Sequence, residues 1–437
     1  MICLNTARGQ LRLPLGLAPR RCKLAILLLG SALLITISAR AEEAAVEGRA
    51  EFQLFRNAMD SIVTNCIYRV TERDVLIGAL KGLKQELGPK FSATLPSGFE
   101  RKTAEENWLI YQQALRELAH APDVGQSLKS LVELSLRAYC KTLDRYCSYD
   151  TYETWKQSQE FEEPDYEGVG ITLLAGRADD ILCIPIRGGP ADRAGLDPGD
   201  HLLAVNDHSA RGVSFLQIHN WLAEAEANAV KLRVRRGDGV VDTVAVSKEP
   251  IKFSPVSVEQ IGDAWQITLR DISARSVTDL REQLRSIGPA KALTLDLRGC
   301  PGGPVNFAVA IASMFLPADT VIAKLETLEG TETLRSNNSA PYHPAKLNIL
   351  QDRFTGSAAE VIIAAFLGYS PLKAQSYGEK SYGKGVTQRV IKVSGKNHNG
   401  ETVVEAGMLK ITDSRIYGPN GEFWDGIGLA PNSEDKD

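Results

Sequence analysis

The chain has 437 residues, of which 50 are Lys or Arg, 54 are Asp or Glu and 43% are hydrophobic, which is enough for two or three ordinary domains. The formal net charge of −4 offers no basic surplus of the kind that nucleic-acid-binding proteins carry, so no nucleic acid is expected as a partner. Seven cysteines and six histidines are spread without the spacing of a zinc site, and we expect neither a metal nor another cofactor.

A secretory signal peptide is predicted for residues 1–41. Basic residues precede the apolar run LAILLLGSALLITIS, which ends in Ala-Arg-Ala before an acidic segment. The run is shorter than the roughly 18 to 20 apolar residues that a membrane-spanning helix needs. Cleavage after Ala41 would remove six basic and no acidic residues, leaving 44 Lys or Arg against 54 Asp or Glu. We therefore expect a periplasmic or secreted protein, with an N-terminal membrane anchor as the alternative.

Five cysteines follow this segment. In an oxidising compartment Cys66 could pair with Cys140 or Cys147, since all three lie in a part of the chain with a helical pattern. The sequence does not decide between the two pairings. Cys183 and Cys300 are interpreted as buried single cysteines.

The predicted elements divide the remaining chain into four regions, and together they predict a multidomain α+β protein. Residues 42–126 and 127–165 have helical patterns, because apolar residues recur at spacings of three and four in FQLFRNAMDSIVTNCIYRV, DVLIGALKGLKQEL and LVELSLRAYCKTL. Residues 166–250 contain short β-rich runs with Gly, Pro and Asp turns and one helical stretch. Strands and helices alternate in residues 251–437, which predicts an α/β core with largely parallel strands.

The stretch DRFTGSAAEVIIAAFL contains a candidate nucleophile. Ser357 follows a predicted strand and a tight turn at Gly356, and it begins an apolar helix. Taken alone, a helix N-cap is the simpler interpretation of this serine. The functional alternative is a nucleophile at the positive end of a helix, where backbone N–H groups such as that of Ala358 stabilise an oxyanion.

The stretch GEKSYGKG begins like a phosphate-binding P-loop. However, Gly385 stands where that loop needs Ser or Thr, and a strand-like pattern follows in place of a helix. None of the six histidines lies in a strand-to-helix turn of the serine-hydrolase kind, so a lysine is the other route to a base. A lysine in a dry pocket loses its proton more readily, which makes Lys384 a candidate general base. A solvated surface lysine is the alternative.

A Gly-Gly turn in LTLDLRGCPGGPVNFAVAIASMFLP lies between a predicted buried strand and a helix. The simple interpretation is a tight connection between the two elements. The functional alternative is that the N–H of Gly302 or Gly303 provides a second oxyanion donor, beside that of Ala358.

Together these segments resemble the carboxyl-terminal processing peptidases, serine proteases with a Ser–Lys dyad and an inserted PDZ domain. LDLRGCPGG is similar to the family's Asp-Leu-Arg-x-x-Pro-Gly-Gly turn, GSAAE to its Ala-Ser-Ala-Ser-Glu motif and SYGKGVTQ to its Thr-Phe-Gly-Lys-Gly-x-x-Gln motif. KTLDRYCSYDTYE resembles a segment that packs with the catalytic core, and LKITDSRIYGPNGEFWDGIGLAP one that closes it. The resemblance implies Ser357 as nucleophile, Lys384 as base and Gln388 as the residue that orients the base. It also implies a core of crotonase/ClpP-like ββα units.

The chain departs from the family pattern at several places. Ser357 and Lys384 are 27 residues apart, slightly more than the usual spacing. Ala359 replaces a common serine, RYCSY lacks the usual Pro-His, and Trp424-Asp425 stands where less acidic residues are frequent. None of these changes removes a catalytic group.

YEGVGITL and PADRAGLDPGDHLLAVND resemble the carboxylate-binding loop, groove strand and turn-and-strand signature of bacterial PDZ domains. Consecutive backbone N–H groups can hold a terminal carboxylate, and a strand edge can pair with a peptide. Glycines that merely serve turns are the alternative. The predicted peptide-binding residues are Tyr166, Glu167, Gly168, Val169, Gly170 and Ile171.

The resemblance implies a periplasmic endopeptidase that binds apolar C-terminal tails of substrate proteins through its PDZ domain. A catalytically inactive PDZ scaffold of the cell envelope is the alternative, and an acyl-CoA-handling enzyme with a related core is a third. An envelope adaptor lipoprotein is a partner suggested by analogy alone. The helical N-terminal region is a candidate surface for a homo-oligomer.

Overall fold

The computed structural model describes residues 48–159, 165–176, 180–224, 229–252, 254–338, 342–396 and 402–433. The predicted signal peptide lies outside these residues. Within the described ranges, no helix has the length and apolar character needed to cross a membrane.

Four helices form the first region, and apolar packing holds them together. Two of them begin with capping boxes, in which Thr71 pairs with Asp74 and Thr103 with Glu106, as expected for threonines at helix starts. Phe55, Leu80, Tyr111 and Leu136 are fully buried on the inward faces. The helical pattern predicted for this region is confirmed. The helices are α1 (Arg49–Asn65), α2 (Glu72–Leu87), α3 (Ala104–His120) and α4 (Leu128–Leu143).

The helical region shares its apolar core with a long β-hairpin near the end of the chain. Strand β1 (Ser148–Thr151) follows α4 and pairs antiparallel with β18 (Thr402–Tyr417), which in turn pairs with β17 (Val386–Lys396). Leu409 and Ile411 of β18 are fully buried among residues of the helices. The segment before the β-rich module therefore packs against the end of the chain, and helix α5 (Tyr152–Gln159) then leads into that module.

The β-rich module is an antiparallel sheet of order β3-β4-β5-β7-β8, with β6 paired to β5. Strands β2 and β9 pair with each other where the chain enters and leaves the module. Of the described strands, only β4 pairs with β3, so the other edge of β3 is open. The elements are β2 (Asp165–Gly168), β3 (Ile171–Ala175), β4 (Ile181–Pro185), α6 (Pro190–Arg193), β5 (Asp200–Val205), β6 (His208–Ser209), α7 (Phe215–Glu224), β7 (Ala229–Arg235), β8 (Val241–Ser247) and β9 (Glu249–Lys252).

The described part of the last region contributes strands to two sheets and contains three α-helices. One sheet, of order β10-β11-β12-β15-β16, is parallel except for the β10–β11 hairpin, as the sequence predicts. The second sheet joins β1, β17 and β18 to the hairpin β13–β14 and is antiparallel throughout. The elements are β10 (Val256–Ile261), β11 (Ala264–Leu269), α8 (Ala274–Ile287), β12 (Ala292–Asp296), α9 (Val305–Ser313), β13 (Val321–Glu326), β14 (Thr331–Arg335), β15 (Leu347–Gln351), α10 (Ala358–Gly368) and β16 (Gln375–Gly378).

The parallel sheet explains why three distant sequence motifs come together. Strands β12, β15 and β16 are neighbours and run in the same direction. The Gly-Gly turn follows β12, Ser357 follows β15 and Lys384 follows β16, so all three lie beyond the same edge of the sheet. Loops beyond the carboxyl ends of parallel strands are the usual position of a site in such folds.

Candidate active site

Ser357 occupies a strained backbone position at the start of α10. Its φ of 54° and ψ of −120° lie outside the regions that L-residues ordinarily adopt. The flanking backbone is fixed by hydrogen bonds from Gly356 N to Cys300 O (2.9 Å) and from Tyr382 N to Thr355 O (2.9 Å). The serine is only 8% exposed. An ordinary N-cap serine needs neither this strained backbone conformation nor the hydrogen bonds that hold it in place.

The Gly-Gly turn approaches Ser357 so closely that no side chain fits at Gly302. A Cβ on this residue would lie 2.5 Å from the carbonyl oxygen of Gly356 and 2.8 Å from Cβ of Ser357, and its φ of 97° also favours glycine. Gly303 follows in the same turn, and the N–H of Ala358, the first helical residue, has no acceptor within its own helix. The three predicted oxyanion residues therefore lie together.

The carboxylate of Glu360 joins the serine turn to the lysine loop. It is fully buried and accepts four hydrogen bonds. Oε2 accepts from the backbone N–H groups of Ser357 and Lys384, both at 2.8 Å. Oε1 accepts from Gly383 N at 2.7 Å and from Ser381 Oγ at 2.5 Å. Burial raises the pKa of Glu360, and the four donors oppose that rise because they stabilise the charged form.

The environment of Lys384 lowers its pKa to about 8. Burial is the largest cause because it disfavours the charged form, and the like charge of Lys410 is the next. Asp144 acts in the opposite direction. Arg145 lowers the pKa further, and Asp425 raises it. Roughly a tenth of Lys384 is therefore uncharged at pH 7, far more than for a solvated lysine, and the uncharged form is the one that a general base requires.

Lys384 and Ser357 face the same cavities, but no hydrogen bond joins their side chains in the described structure. The ammonium nitrogen of Lys384 lies over the ring of Tyr146, 5.0 Å from its centroid. Gln388 follows on β17, opposite Thr412 of β18, and its Nε2 is buried without a hydrogen-bond partner. The structure thus brings the three predicted catalytic residues to one place, with one amide donor still unused.

Two cavities, of about 740 and 630 Å³, meet at these residues. The first extends toward the end of α1 and the β13–β14 hairpin, and the second extends to β3 and the start of α7. Ser357 and Lys384 thus lie between a space beside the helical region and a space beside the β-rich module. Five residues line both cavities: Gly303, Pro304, Ser357, Lys384 and Gln388.

The predicted peptide-binding residues run from β2, which pairs with β9, to the start of β3, whose outer edge is open among the described strands. Tyr166, Glu167 and Gly168 belong to β2, and Val169 and Gly170 form the turn into β3. The remaining predicted residue, at position 171, begins β3 itself. This segment faces α7 across a small cavity of about 20 Å³, whose other walls are His219, Leu222 and Ala223.

The positions of the histidines, cysteines and acidic residues also bear on the expectations from the sequence. None of the five described histidines lines either cavity. No group of His, Cys, Asp and Glu residues suited to a metal ion occurs in the described part of the chain. All five described cysteines are buried free thiols, so neither pairing that the sequence left open for Cys66 is formed here. The interpretation of Cys183 and Cys300 as buried single cysteines is confirmed.

Arg145 and Tyr382 are site residues to which the sequence patterns assigned no role. The Arg145 guanidinium lies 4.9 Å from the centroid of the Tyr146 ring and 4.8 Å from that of the Tyr382 ring. It also donates to Gly383 O at 3.4 Å. Arg145 is marked in the sequence only because RYCSY, which contains it, lacks the Pro-His of the family segment that it resembles. Glu360 was visible as the last residue of GSAAE, but its four partners are a property of the fold.

Comparisons with known proteins agree with this architecture. Residues 264–434 match peptidase family S41, and residues 185–236 match the PDZ domain. The chain is 27% identical over 312 residues to the "Probable CtpA-like serine protease" of Staphylococcus epidermidis, with 70% of this chain and 61% of the relative covered. A protein of the same description from Staphylococcus aureus is 29% identical over 313 residues, with 70% and 60% covered. The chain thus spans about three fifths of these relatives' length.

The photosystem II D1 C-terminal processing protease is similar in fold, with a TM-score of 0.61 at 18% identity. The match covers 84% of this chain and 93% of that one. The chain therefore combines a PDZ domain with a peptidase core of family S41. The resemblance to the carboxyl-terminal processing peptidases that its motifs indicate is thereby confirmed.

Replacement of Glu360 by Gln is expected to lower the free energy of unfolding by about 2–3 kcal/mol, because an amide accepts through one oxygen only and leaves buried donors unpaired. Urea denaturation would measure the loss. Glu379→Gln is the matched control, since Glu379 pairs with Arg353 at the surface and its loss should cost under about 1 kcal/mol. Equal losses in the two variants would contradict the joining role of Glu360.

Proposed function

We propose that the protein is a serine endopeptidase in which Ser357 and Lys384 form the catalytic dyad. The observation that carries this proposal is a strained, nearly buried serine that shares its cavities with a lysine of lowered pKa. Neutral Lys384 takes the proton of Ser357 Oγ as that oxygen attacks the scissile carbonyl carbon. The peptide C–N bond then breaks, the amine leaves with a proton, and water hydrolyses the resulting ester.

The proposed oxyanion hole consists of backbone N–H groups from the two turns that meet at Ser357. The candidate donors are the N–H groups of Gly302, Gly303 and Ala358. Gly302 approaches Ser357 and Ala358 closely, Gly303 lines both cavities together with Ser357, and Ala358 adds the positive end of α10. In this mechanism the donors stabilise the tetrahedral intermediate.

Catalysis requires one rearrangement, in which the Lys384 nitrogen leaves the Tyr146 ring and reaches Ser357 Oγ. Gln388 is proposed to orient the lysine in that position, since its amide lines both cavities. A lysine held over an aromatic ring is stabilised as a cation. The described arrangement is therefore interpreted as one in which the dyad is not yet aligned.

The PDZ domain is proposed to bind apolar C-terminal tails of substrate proteins. The segment from Glu167 to Ile171 offers backbone N–H groups for a carboxylate and a strand edge for the tail. Val169 and Ile171 are buried, and Leu222 of α7 faces them across the small cavity. An apolar final side chain suits these surroundings, provided that the groove widens when the tail enters.

The same proposal includes a domain organisation and a compartment. We propose a PDZ domain at 166–250 and a catalytic core at 251–437 that is completed by 127–165 and preceded by helices at 42–126. Export to the periplasm rests on the sequence pattern of residues 1–41. The pairing of β1 with β18 supports assigning the segment before the PDZ domain to the core.

Ser357→Ala and Lys384→Ala should each abolish cleavage of a peptide substrate while leaving the circular dichroism spectrum unchanged, because each removes a reacting group while the backbone N–H groups of both residues keep their hydrogen bonds to Glu360. Fluorogenic peptide hydrolysis measures the rate. Full activity in either variant would exclude the dyad. An intact protein that binds tails but cleaves nothing at any pH would instead identify the inactive PDZ scaffold.

The pH dependence of kcat/KM should report Lys384, because the lysine acts only when neutral. The rate is expected to rise with pH through about 8 and to fall about tenfold per unit well below it. Lys410→Met removes a charge that lowers the pKa of Lys384, so it should move this rise to higher pH. Lys392→Met, an exposed lysine of β17, is the control and should not move it. A profile unchanged by Lys410→Met would contradict this assignment.

Amidation of a substrate tail should weaken its binding about 10- to 150-fold, since a charge-assisted contact contributes about 1.5–3 kcal/mol. The dissociation constant can be measured by fluorescence anisotropy on the Ser357→Ala protein. A peptide with an acidic final residue serves as the specificity control. Equal binding of the free and amidated forms would mean that the PDZ domain does not anchor a C-terminus.

A further inference from the structure

The open edge of β3 presents backbone groups at every second residue. In an antiparallel pair, alternate residues direct both their N–H and C=O groups to the partner strand. Gly176 N donates to Asp180 O (2.7 Å), and Ile186 N donates to Gly170 O (2.9 Å). The even-numbered residues between these two bonds therefore face β4. The residues whose N–H and C=O groups point to the open edge are Ile171, Leu173 and Ala175.

One of these edge positions is already occupied by a side chain of the catalytic core. The hydroxyl of Tyr382 donates a hydrogen bond to the carbonyl oxygen of Ala175. Tyr382 lies two residues before Lys384, in the loop that follows β16. The end of the edge nearest the dyad is therefore closed by the core, whereas Ile171 and Leu173 lie between this closure and the carboxylate loop.

The position of Tyr382 is fixed from several sides. Its ring packs with Leu174, Ile184 and Phe354 in a small apolar cluster between the PDZ domain and the core. The Arg145 guanidinium covers the ring at 4.8 Å. A Cβ added at Gly356 would lie 3.3 Å from the Tyr382 ring, so this ring also packs against the turn that precedes Ser357. A side chain held in this way can compete with an incoming peptide for the Ala175 carbonyl.

We propose that Tyr382 is a register stop that limits how much of a substrate tail pairs with β3. The inference rests on the proposed binding of tails by the PDZ domain. With the terminal carboxylate at the loop before β3, the last residue of an antiparallel tail lies opposite Ile171 and the third from the end lies opposite Leu173. The fifth from the end would lie opposite Ala175, where the Tyr382 hydroxyl takes its place.

The stop determines where the tail leaves the PDZ domain. The 630 Å³ cavity is lined by Ala175 at one end and by Ser357 at the other. A tail released from β3 before Ala175 enters this cavity at once. The four terminal residues are therefore held by the PDZ domain, and the chain beyond them is directed to the dyad. Tyr382 acts here as a specificity residue that sets the spacing between the free C-terminus and the scissile bond.

N-methylated peptides test this assignment on the Ser357→Ala protein. The probe is a labelled peptide of about ten residues with a free, apolar C-terminus, and its dissociation constant is measured by anisotropy. Methylation of the third amide from the end should weaken binding roughly tenfold, because that N–H pairs with Leu173 O. Methylation of the fifth should change it by less than twofold. A fifth amide as sensitive as the third would overturn the proposal.

The Tyr382→Leu variant provides a second test of the proposal. Leucine keeps an apolar side chain in the small cluster but cannot reach the Ala175 carbonyl. The fifth amide should then become sensitive to methylation, and with Ser357 intact the released C-terminal fragments should lengthen by two residues in mass spectra. A fifth amide that stays insensitive and an unchanged fragment length would overturn the register stop, since a merely structural role lowers the rate without moving the cleaved bond.

Two controls separate this inference from the function on which it rests. Tyr377→Leu makes the same change five residues earlier, where the hydroxyl bonds to Gln375, and should leave both readouts at their original values. The amidated peptide tests tail anchoring itself. Loss of all discrimination between free and amidated tails would contradict both the proposed anchoring of tails by the PDZ domain and the stop. If free and amidated tails are still distinguished but the fifth amide stays insensitive to methylation in Tyr382→Leu, only the register stop is contradicted.

Discussion

The active-site geometry depends on one buried carboxylate. Glu360 lies on the first turn of an apolar helix and accepts hydrogen bonds from the backbone of Ser357, Gly383 and Lys384. Burying an anion is costly unless donors surround it, so the two loops can separate only by exposing unpaired groups. The relative placement of Ser357 and Lys384 therefore depends on their hydrogen bonds to this one carboxylate, and no hydrogen bond joins the two side chains in the described structure.

The parallel sheet supplies the other constraint. Its neighbouring strands β12, β15 and β16 end at one edge, so each of the three following loops must share that space with the other two. Gly302 permits the closest approach, and Phe354 and Tyr382 extend the same loops to the PDZ domain. The contacts that shape the site thus continue into the surface that joins the two domains, which links the edge of β3 physically to the residues beside the dyad.

Much of this arrangement could be predicted from the sequence, and the remainder follows from long-range pairing. Some elements have apolar patterns that a short stretch of sequence is enough to recognise. They are the helices at 49–65 and 358–368 and the parallel strands of the core. Ser357, Lys384 and Gln388 stand in motifs. By contrast, β13 and β14 are mostly half-exposed or exposed and lack a strong pattern, and their sheet joins segments far apart in the chain. The partners of Glu360 and the contact of Tyr382 with Ala175 likewise arise only when separate loops meet.

The two cavities beside Ser357 and Lys384 limit the conformation of any polypeptide that occupies both. They share Ser357 and Lys384 among their lining residues, and their far walls are the end of α1 on one side and β3 on the other. A chain lying in both must be extended over the residues inside, whereas a folded domain remains outside. Whether a protein is cut would then depend on two properties of its C-terminal end. Its resistance to local unfolding would matter as much as the chemistry of its last residues.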